Sequence, residues 1–219
     1  MREVFQQDLA DVQNGLVEVA GLVRDAITNA TKAFELSDVA LADQVISDDF
    51  RIDELTARLD DLTVEILLLQ APVARDLRFV VSTMRIGASL ERMGDLAAHV
   101  AQLARLRFPD TVGPDALRDS FIKVGELCVT QADRLYRLLD EEEEALIDEL
   151  ISSDDEIDGV HKEVLDYLTD HADDGAAAAR IVDATLANRY FERFSDHAVN
   201  IAKRMRYLMD GTVEGGPEA

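Results

Sequence analysis

The sequence predicts an all-α protein made of two tandem three-helix bundles related by an internal repeat. Three observations predict it. Apolar residues recur at alternating steps of four and three, Pro and Gly interrupt that pattern at few places, and two short runs of residues come back about a hundred positions later. Composition agrees: 47% of the residues are hydrophobic, with only 4 Pro and no Trp, and the abundance of Ala, Leu, Asp and Glu suits long helices rather than sheets.

The first helix is read from Phe5, Leu9, Val12, Leu16, Val19, Val23, Ala26 and Ala30, which form one buried seam. A second is expected after Ser37 as N-cap, with Ile52, Leu55, Leu59, Leu62, Ile66 and Leu69 on its apolar face, and Gln70-Ala71-Pro72 ends it. A third, from about Ala74 to Arg107, carries two stripes, Leu77, Met84 and Ala88 on one side and Phe79, Ile86, Leu90, Met93, Ala97 and Val100 on the other. Two apolar faces imply two neighbours. Phe108-Pro-Asp-Thr-Val-Gly-Pro114 breaks the pattern and separates the units.

The second unit repeats the plan, with Leu117, Phe121, Val124, Cys128, Leu135 and Leu138 on a fourth helix, a fifth from about Glu143 to His171 and a sixth from Ala176 to Met209. Asp173-Asp174-Gly175 supplies the turn between the last two. The expected domains are therefore residues 1–108 and 115–210, followed by a polar, Gly-rich, flexible tail at 211–219. Residues support the repeat as well as periodicity. Ile46-Ser-Asp-Asp-Phe-Arg-Ile-Asp53 matches Ile151-Ser-Ser-Asp-Asp-Glu-Ile-Asp158 at an offset of 105, and Leu90-Glu-Arg-Met-Gly-Asp95 matches Phe191-Glu-Arg-Phe-Ser-Asp196 at an offset of 101.

Charge excludes some functions. A formal charge of −23, from 45 acidic and 22 basic residues, repels nucleic-acid phosphates and anionic membrane surfaces. The single Cys128 reads as a core residue, leaves no internal disulfide, and with the polar start Met-Arg-Glu-Val-Phe points to a cytoplasmic protein. No apolar run reaches the roughly 20 residues of a membrane span, so membrane contact is expected only through partners.

Both copies keep two acid-x-x-x-acid pairs: Asp49 with Asp53 and Glu91 with Asp95, then Asp154 with Asp158 and Glu192 with Asp196. Residues four apart share a helix face, so each pair sets two carboxylates side by side. At this acid content roughly nine such pairs arise by chance, so spacing alone decides nothing. Register adds weight, because Glu91 and Asp95 fall among the seam residues Met84, Ala88 and Ala98, where bare carboxylates are costly. If the two pair-bearing helices of a unit pack level, four carboxylates converge, and oxygen-only ligation suits hard cations. The competing reading is a salt-bridge network with Arg51, Arg92 or Arg193. His99, Asn200 and His197 stand close enough in sequence to extend a ligand set, although each is as readily a surface or packing residue.

Leu69-Gln-Ala-Pro-Val-Ala-Arg-Asp-Leu-Arg-Phe79 leading into Leu90-Glu-Arg-Met-Gly-Asp-Leu-Ala-Ala-His99, with Phe191-Glu-Arg-Phe-Ser-Asp-His-Ala-Val-Asn-Ile-Ala202 in the second copy, resembles the signature of the PhoU family. The resemblance implies two three-helix bundles whose acidic pairs bind metal clusters, with Asp49, Asp53, Glu91, Asp95, Asp154, Asp158, Glu192 and Asp196 as the ligands here and iron before Mn, Mg, Ca or Zn. It also implies a regulator, not an enzyme; a homodimer is expected separately, because elongated bundles leave apolar edges. Such proteins link the phosphate ABC transporter, on its ATPase side, to a sensor histidine kinase, keeping phosphate-starvation genes off and restraining uptake when phosphate is plentiful. The sequence departs from the pattern at Phe194-Ser195, at Leu96, and in lacking the Pro-x-Ala-x-Asp-Leu-Arg run in the second copy. The alternative function is a carboxylate-bridged di-metal oxidase or hydrolase, for which the chain offers a single acid-x-x-His run, Asp158-Glu-Val-His161.

Overall fold

A computed structural model describes residues 2–171 and 178–211. They form six helices, α1 (Arg2–Leu36), α2 (Val39–Gln70), α3 (Ala74–Arg107), α4 (Arg118–Glu141), α5 (Ala145–Asp170) and α6 (Ala178–Asp210), with one 3-10 turn at Asp115–Leu117 and no strand among the described residues. The expected helices are all present and their ends fall within a few residues of expectation. The turn placed at Asp173-Asp174-Gly175 and the tail beyond Gly211 lie outside the described residues.

Local chemistry explains the boundaries. Asp38, rather than Ser37, caps α2, its carboxylate accepting the Leu41 amide at 3.0 Å. Ser37 cannot serve there because it sits at φ 52, turning the chain out of α1. At the other end of α2, Ala71 takes the left-handed conformation and Pro72 prevents the helix from continuing.

Helix α2 packs on α1 and α3, and α5 packs on α4 and α6, as two bundles require. The bundles are joined broadly, α1 against α4 and α3 against α6, so four helices form the centre and α2 and α5 flank it. Both central pairs are antiparallel. Gly21 lies beside Tyr136 and Gly125 beside Thr31 across α1 and α4, while His99 meets Tyr190 and Arg107 meets Asp183 across α3 and α6.

One main core runs through both bundles, from Leu16, Ile27 and Ile86 to Leu135, Ile157 and Phe194. Phe34 of α1 packs edge-on against Phe121 of α4 and Phe191 of α6, with ring centroids 5.5 and 5.9 Å apart. Asp183 of α6, 4% exposed, is gripped by Arg107 of α3, whose Nη2 donates to Oδ1 at 2.9 Å. Arg180 donates to the Gly113 carbonyl at 3.0 and 2.7 Å and to Asp115 at 2.6 Å, tying the start of α6 to the segment between the bundles.

Two details of the apolar reading change. On α3, the stripe through Phe79, Ile86, Leu90, Met93, Ala97 and Val100 is buried or nearly so, but Leu77 and Ala88 are exposed and Met84 only half-buried. The helix instead buries a broad face that also takes in Gly87, Gly94, Ala98 and Ala101, because it meets three helices, α1, α2 and α6. Leu69 is 70% exposed, since α2 has by then run past the core.

Candidate functional site: two carboxylate clusters

The α2–α3 hairpin sets its acidic pairs level. An added Cβ at Gly94 would lie 2.8 Å from Ile52 Cδ1 and 3.1 Å from Asp49 Oδ1, and one at Gly87 3.4 Å from Thr56 Cγ2. Asp49 therefore stands opposite the Asp95 turn and Asp53 opposite Glu91. Gly94 is required here by close approach: without a side chain, α3 lets Ile52 and Asp49 of α2 come down onto its backbone.

The electrostatics follow from that register. Burial first, and then the charges of Asp53, Asp95 and Glu91, push the Asp49 carboxyl up to about 6. Asp95 is paired with Arg92 at 2.8 Å, whereas Asp49, Asp53 and Glu91 accept no side-chain hydrogen bond among the described residues. The carboxylates lie at the rim rather than deep in the seam: Asp49, Glu91 and Asp95 are half-buried and Asp53 is exposed. The burial expected for Glu91 and Asp95 is thus only partial, because the outer edge of α3 faces solvent between α2 and α6.

The α5–α6 hairpin repeats the arrangement with different supports. Ser195, at the position of Gly94, donates from Oγ to Asp154 Oδ1 at 2.5 Å. Arg189 donates to both oxygens of Glu192 at 2.6 Å, and the Glu192 side chain is 14% exposed. Burial and then Asp196 raise the Glu192 carboxyl, with Asp158 adding to them and Arg189 and His161 opposing. His161, at the position of Thr56, has a buried Nδ1 without a hydrogen-bond partner. Asp158 and Asp196 are exposed.

The other singled-out residues fall elsewhere. His99 is exposed and lies against the Tyr190 ring, 5.0 Å between centroids, rather than beside Asp95. His197 is half-buried, and burial, then Arg193, holds its ring below the ordinary range. Of the three arginines considered as salt-bridge partners only Arg92 pairs with a cluster, while Arg189, which sequence reasoning passed over, pairs with the other. Its position three residues before Glu192, one helical turn away, was the available signal.

Two carboxylate sets built from oxygen donors fit a hard cation in chemistry, and the mutual repulsion around Asp49 is what a cation would neutralise. As the side chains stand, no three Asp, Glu, His or Cys groups among the described residues are gathered tightly enough to share one ion.

Comparison with known proteins places this architecture. The model of the PhoU domain matches twice, over residues 16–104 and 121–205. The chain is 36% identical over 212 residues to the phosphate-specific transport system accessory protein PhoU homolog 2 of Mycobacterium tuberculosis, covering 96% of this chain and 99% of that one. It is 36% identical to PhoU homolog 1 of Mycobacterium leprae, covering 97% and 95% of the two chains. Among solved structures it resembles PhoU from Pseudomonas aeruginosa, with a TM-score of 0.87, 29% identity and coverage of 95% and 100%. The repeated domain, the full-length relatives and the shared six-helix architecture agree, and the chain belongs to the PhoU family.

Proposed function

We propose that the chain is a metal-binding regulator of phosphate homeostasis, acting from the cytoplasm as an adaptor between the ATPase side of the phosphate ABC transporter and a sensor histidine kinase. In this reading it keeps phosphate-starvation genes off and restrains uptake when phosphate is plentiful. The relatives' names, phosphate-specific transport system accessory proteins, support the transport link. The observation that carries the reading further is the paired carboxylate sets, Asp49, Asp53, Glu91 and Asp95 and then Asp154, Asp158, Glu192 and Asp196, presented level on two hairpins that share one main core. They would hold iron in the first instance, with Mn, Mg, Ca or Zn as substitutes, and the cation would stiffen each hairpin by linkage.

A docking role also suits the surface. At the α2–α3 corner Leu68, Leu69 and Val73 are each at least 70% exposed, beside Arg75 and Asp76, and could seat a partner or a second copy in a homodimer. No helix among the described residues is long and apolar enough to cross a membrane, so contact with a transporter would be made from outside the bilayer. The di-metal enzyme alternative gains no specific observation: its single acid-x-x-His run, ending at His161, would need a second on another helix.

The test is metal analysis of untagged, chelator-free protein together with a phosphate-starvation reporter in a strain lacking the gene. Wild type should carry metal and silence the reporter in high phosphate, and Glu91→Ala/Asp95→Ala with Glu192→Ala/Asp196→Ala should lose both. A folded, metal-free wild type that silences the reporter would remove metal from the function. Failure to silence would remove the regulatory role.

A further inference from the structure

Basic residues are not spread evenly over this acidic chain. Helices α3 and α6 carry 12 Lys and Arg against 7 Asp and Glu, whereas α2 and α5, which flank them, carry 3 against 17. The excess lies along one face. Arg78, Arg85, Arg92, His99 and Leu106 recur every seven residues on α3, so they form one slowly winding stripe that spans about 40 Å of helix. Helix α6 runs antiparallel beside it. His99 meets the Tyr190 ring, the charge of Arg92 is felt by the half-buried His197, and the Arg78 guanidinium lies over the Tyr207 ring, 5.9 Å from its centre. The same register brings Arg204 level with Arg85, and Arg193 one turn from His197.

Three of these guanidiniums are unused. Arg85, Arg193 and Arg204 pair with no carboxylate among the described residues, although the chain has 45 acids to 22 bases; Arg85 and Arg193 are exposed and Arg204 is half-buried. At the end of the stripe Leu106 and Val182 are each more than half exposed and stand at one level, since the next residues, Arg107 and Asp183, are ion-paired. A complementary occupant is acidic along most of its length and apolar at one end. It is also narrow. A single helix, about 10 Å across, can lie along the track, whereas duplex DNA or an anionic bilayer would bring its charges against the acidic flanks α2 and α5. A second copy related by a two-fold axis through this face would set the arginines against each other. We infer that the α3–α6 face is a docking track for an acidic, amphipathic helical segment of a partner protein, its carboxylates meeting Arg85, Arg193 and Arg204 and its apolar end resting on Leu106 and Val182. The inference deepens the adaptor reading above by giving the chemistry of one partner, and it rests on that reading only for its readout in cells.

The probe is a fluorescent amphipathic Glu/Leu/Ala peptide of about 20 residues, titrated with the full chain at low salt and followed by anisotropy. Wild type should bind it, and more weakly as salt rises. Arg85→Glu/Arg193→Glu/Arg204→Glu should weaken binding about tenfold or more, whereas Lys32→Glu/Arg58→Glu/Lys162→Glu, which changes net charge equally on α1, α2 and α5, should leave it within about twofold. In cells the first set should fail to silence the phosphate-starvation reporter and the second should silence it. Circular dichroism and melting check the fold, and Arg85→Gln/Arg193→Gln/Arg204→Gln, which adds no repulsion, gives the same contrast should the reversal set unfold. A wild type that leaves the peptide free, a reversal set that binds and silences as wild type does, or a control set that fails alongside it would overturn the inference. So would tighter binding of duplex DNA or phosphatidylglycerol vesicles, or salt-sensitive self-association, lost in the reversal set, since either assigns the track another occupant. A wild type that binds the peptide through these arginines yet does not silence the reporter would support the track and remove the regulatory reading.

Discussion

Replacing Asp49 by Asn should stabilise the metal-free protein at neutral pH, because the native fold holds this carboxyl where its charge is unwelcome. Burial and the neighbouring Asp53, Asp95 and Glu91 raise it from 3.8 to about 6. A carboxyl so displaced loses, in full, about 3 kcal/mol on ionising in the folded state. Asp49 is only half-buried and water screens its neighbours, which reduces the expected gain to about 1 kcal/mol. The sign follows from proton linkage. The folded state binds the proton more tightly than the unfolded one, so the contribution is fully present below pH 3.8 and is lost as pH rises through about 6. Asn mimics the protonated form and keeps that contribution. Urea denaturation in the presence of chelator should show Asp49→Asn more stable than wild type at pH 7.5, with the difference fading towards pH 4. No gain at pH 7.5 would refute the crowding argument, and an equal gain at both values would show that shape, not charge, is responsible. If the cluster holds a cation, saturating Mn²⁺ should reverse the order, since the charged carboxylate ligates a divalent cation more strongly than the neutral amide oxygen of Asn.

Other substitutions test the packing. Gly94→Ala places a methyl 2.8 Å from Ile52 Cδ1 and should cost about 1–3 kcal/mol by overpacking, read from the urea midpoint, with Ser195→Ala at the matching position milder. Phe191→Ala removes a fully buried α6 ring packed edge-on against Phe34 of α1 and should cost about 3–5 kcal/mol, and because one core spans both bundles the melt should shift as a single transition. Asp183→Ala frees Arg107 and cuts a side-chain link between the start of α6 and the end of α3, so the melting temperature should fall and hydrogen exchange in the first turns of α6 should rise.

Helix content, the division at Phe108–Pro114 and the repeat were legible in the sequence because apolar spacing, breakers and recurrence are local properties of the chain. That each acidic pair lies on one helix face was legible for the same reason, since residues four apart share a face whatever surrounds the helix. Tertiary structure decided the rest. Whether Asp49 meets Asp95 depends on how closely α2 approaches α3, and that distance is set by the missing side chain of Gly94 and by the depth of Ile52. Whether Asp154 is free depends on a hydroxyl from another helix. The joining of two sequence repeats by one main core could not be read from either copy alone, because α1 meets α4 and α3 meets α6 through residues whose periodicity says only that they are buried, not against what.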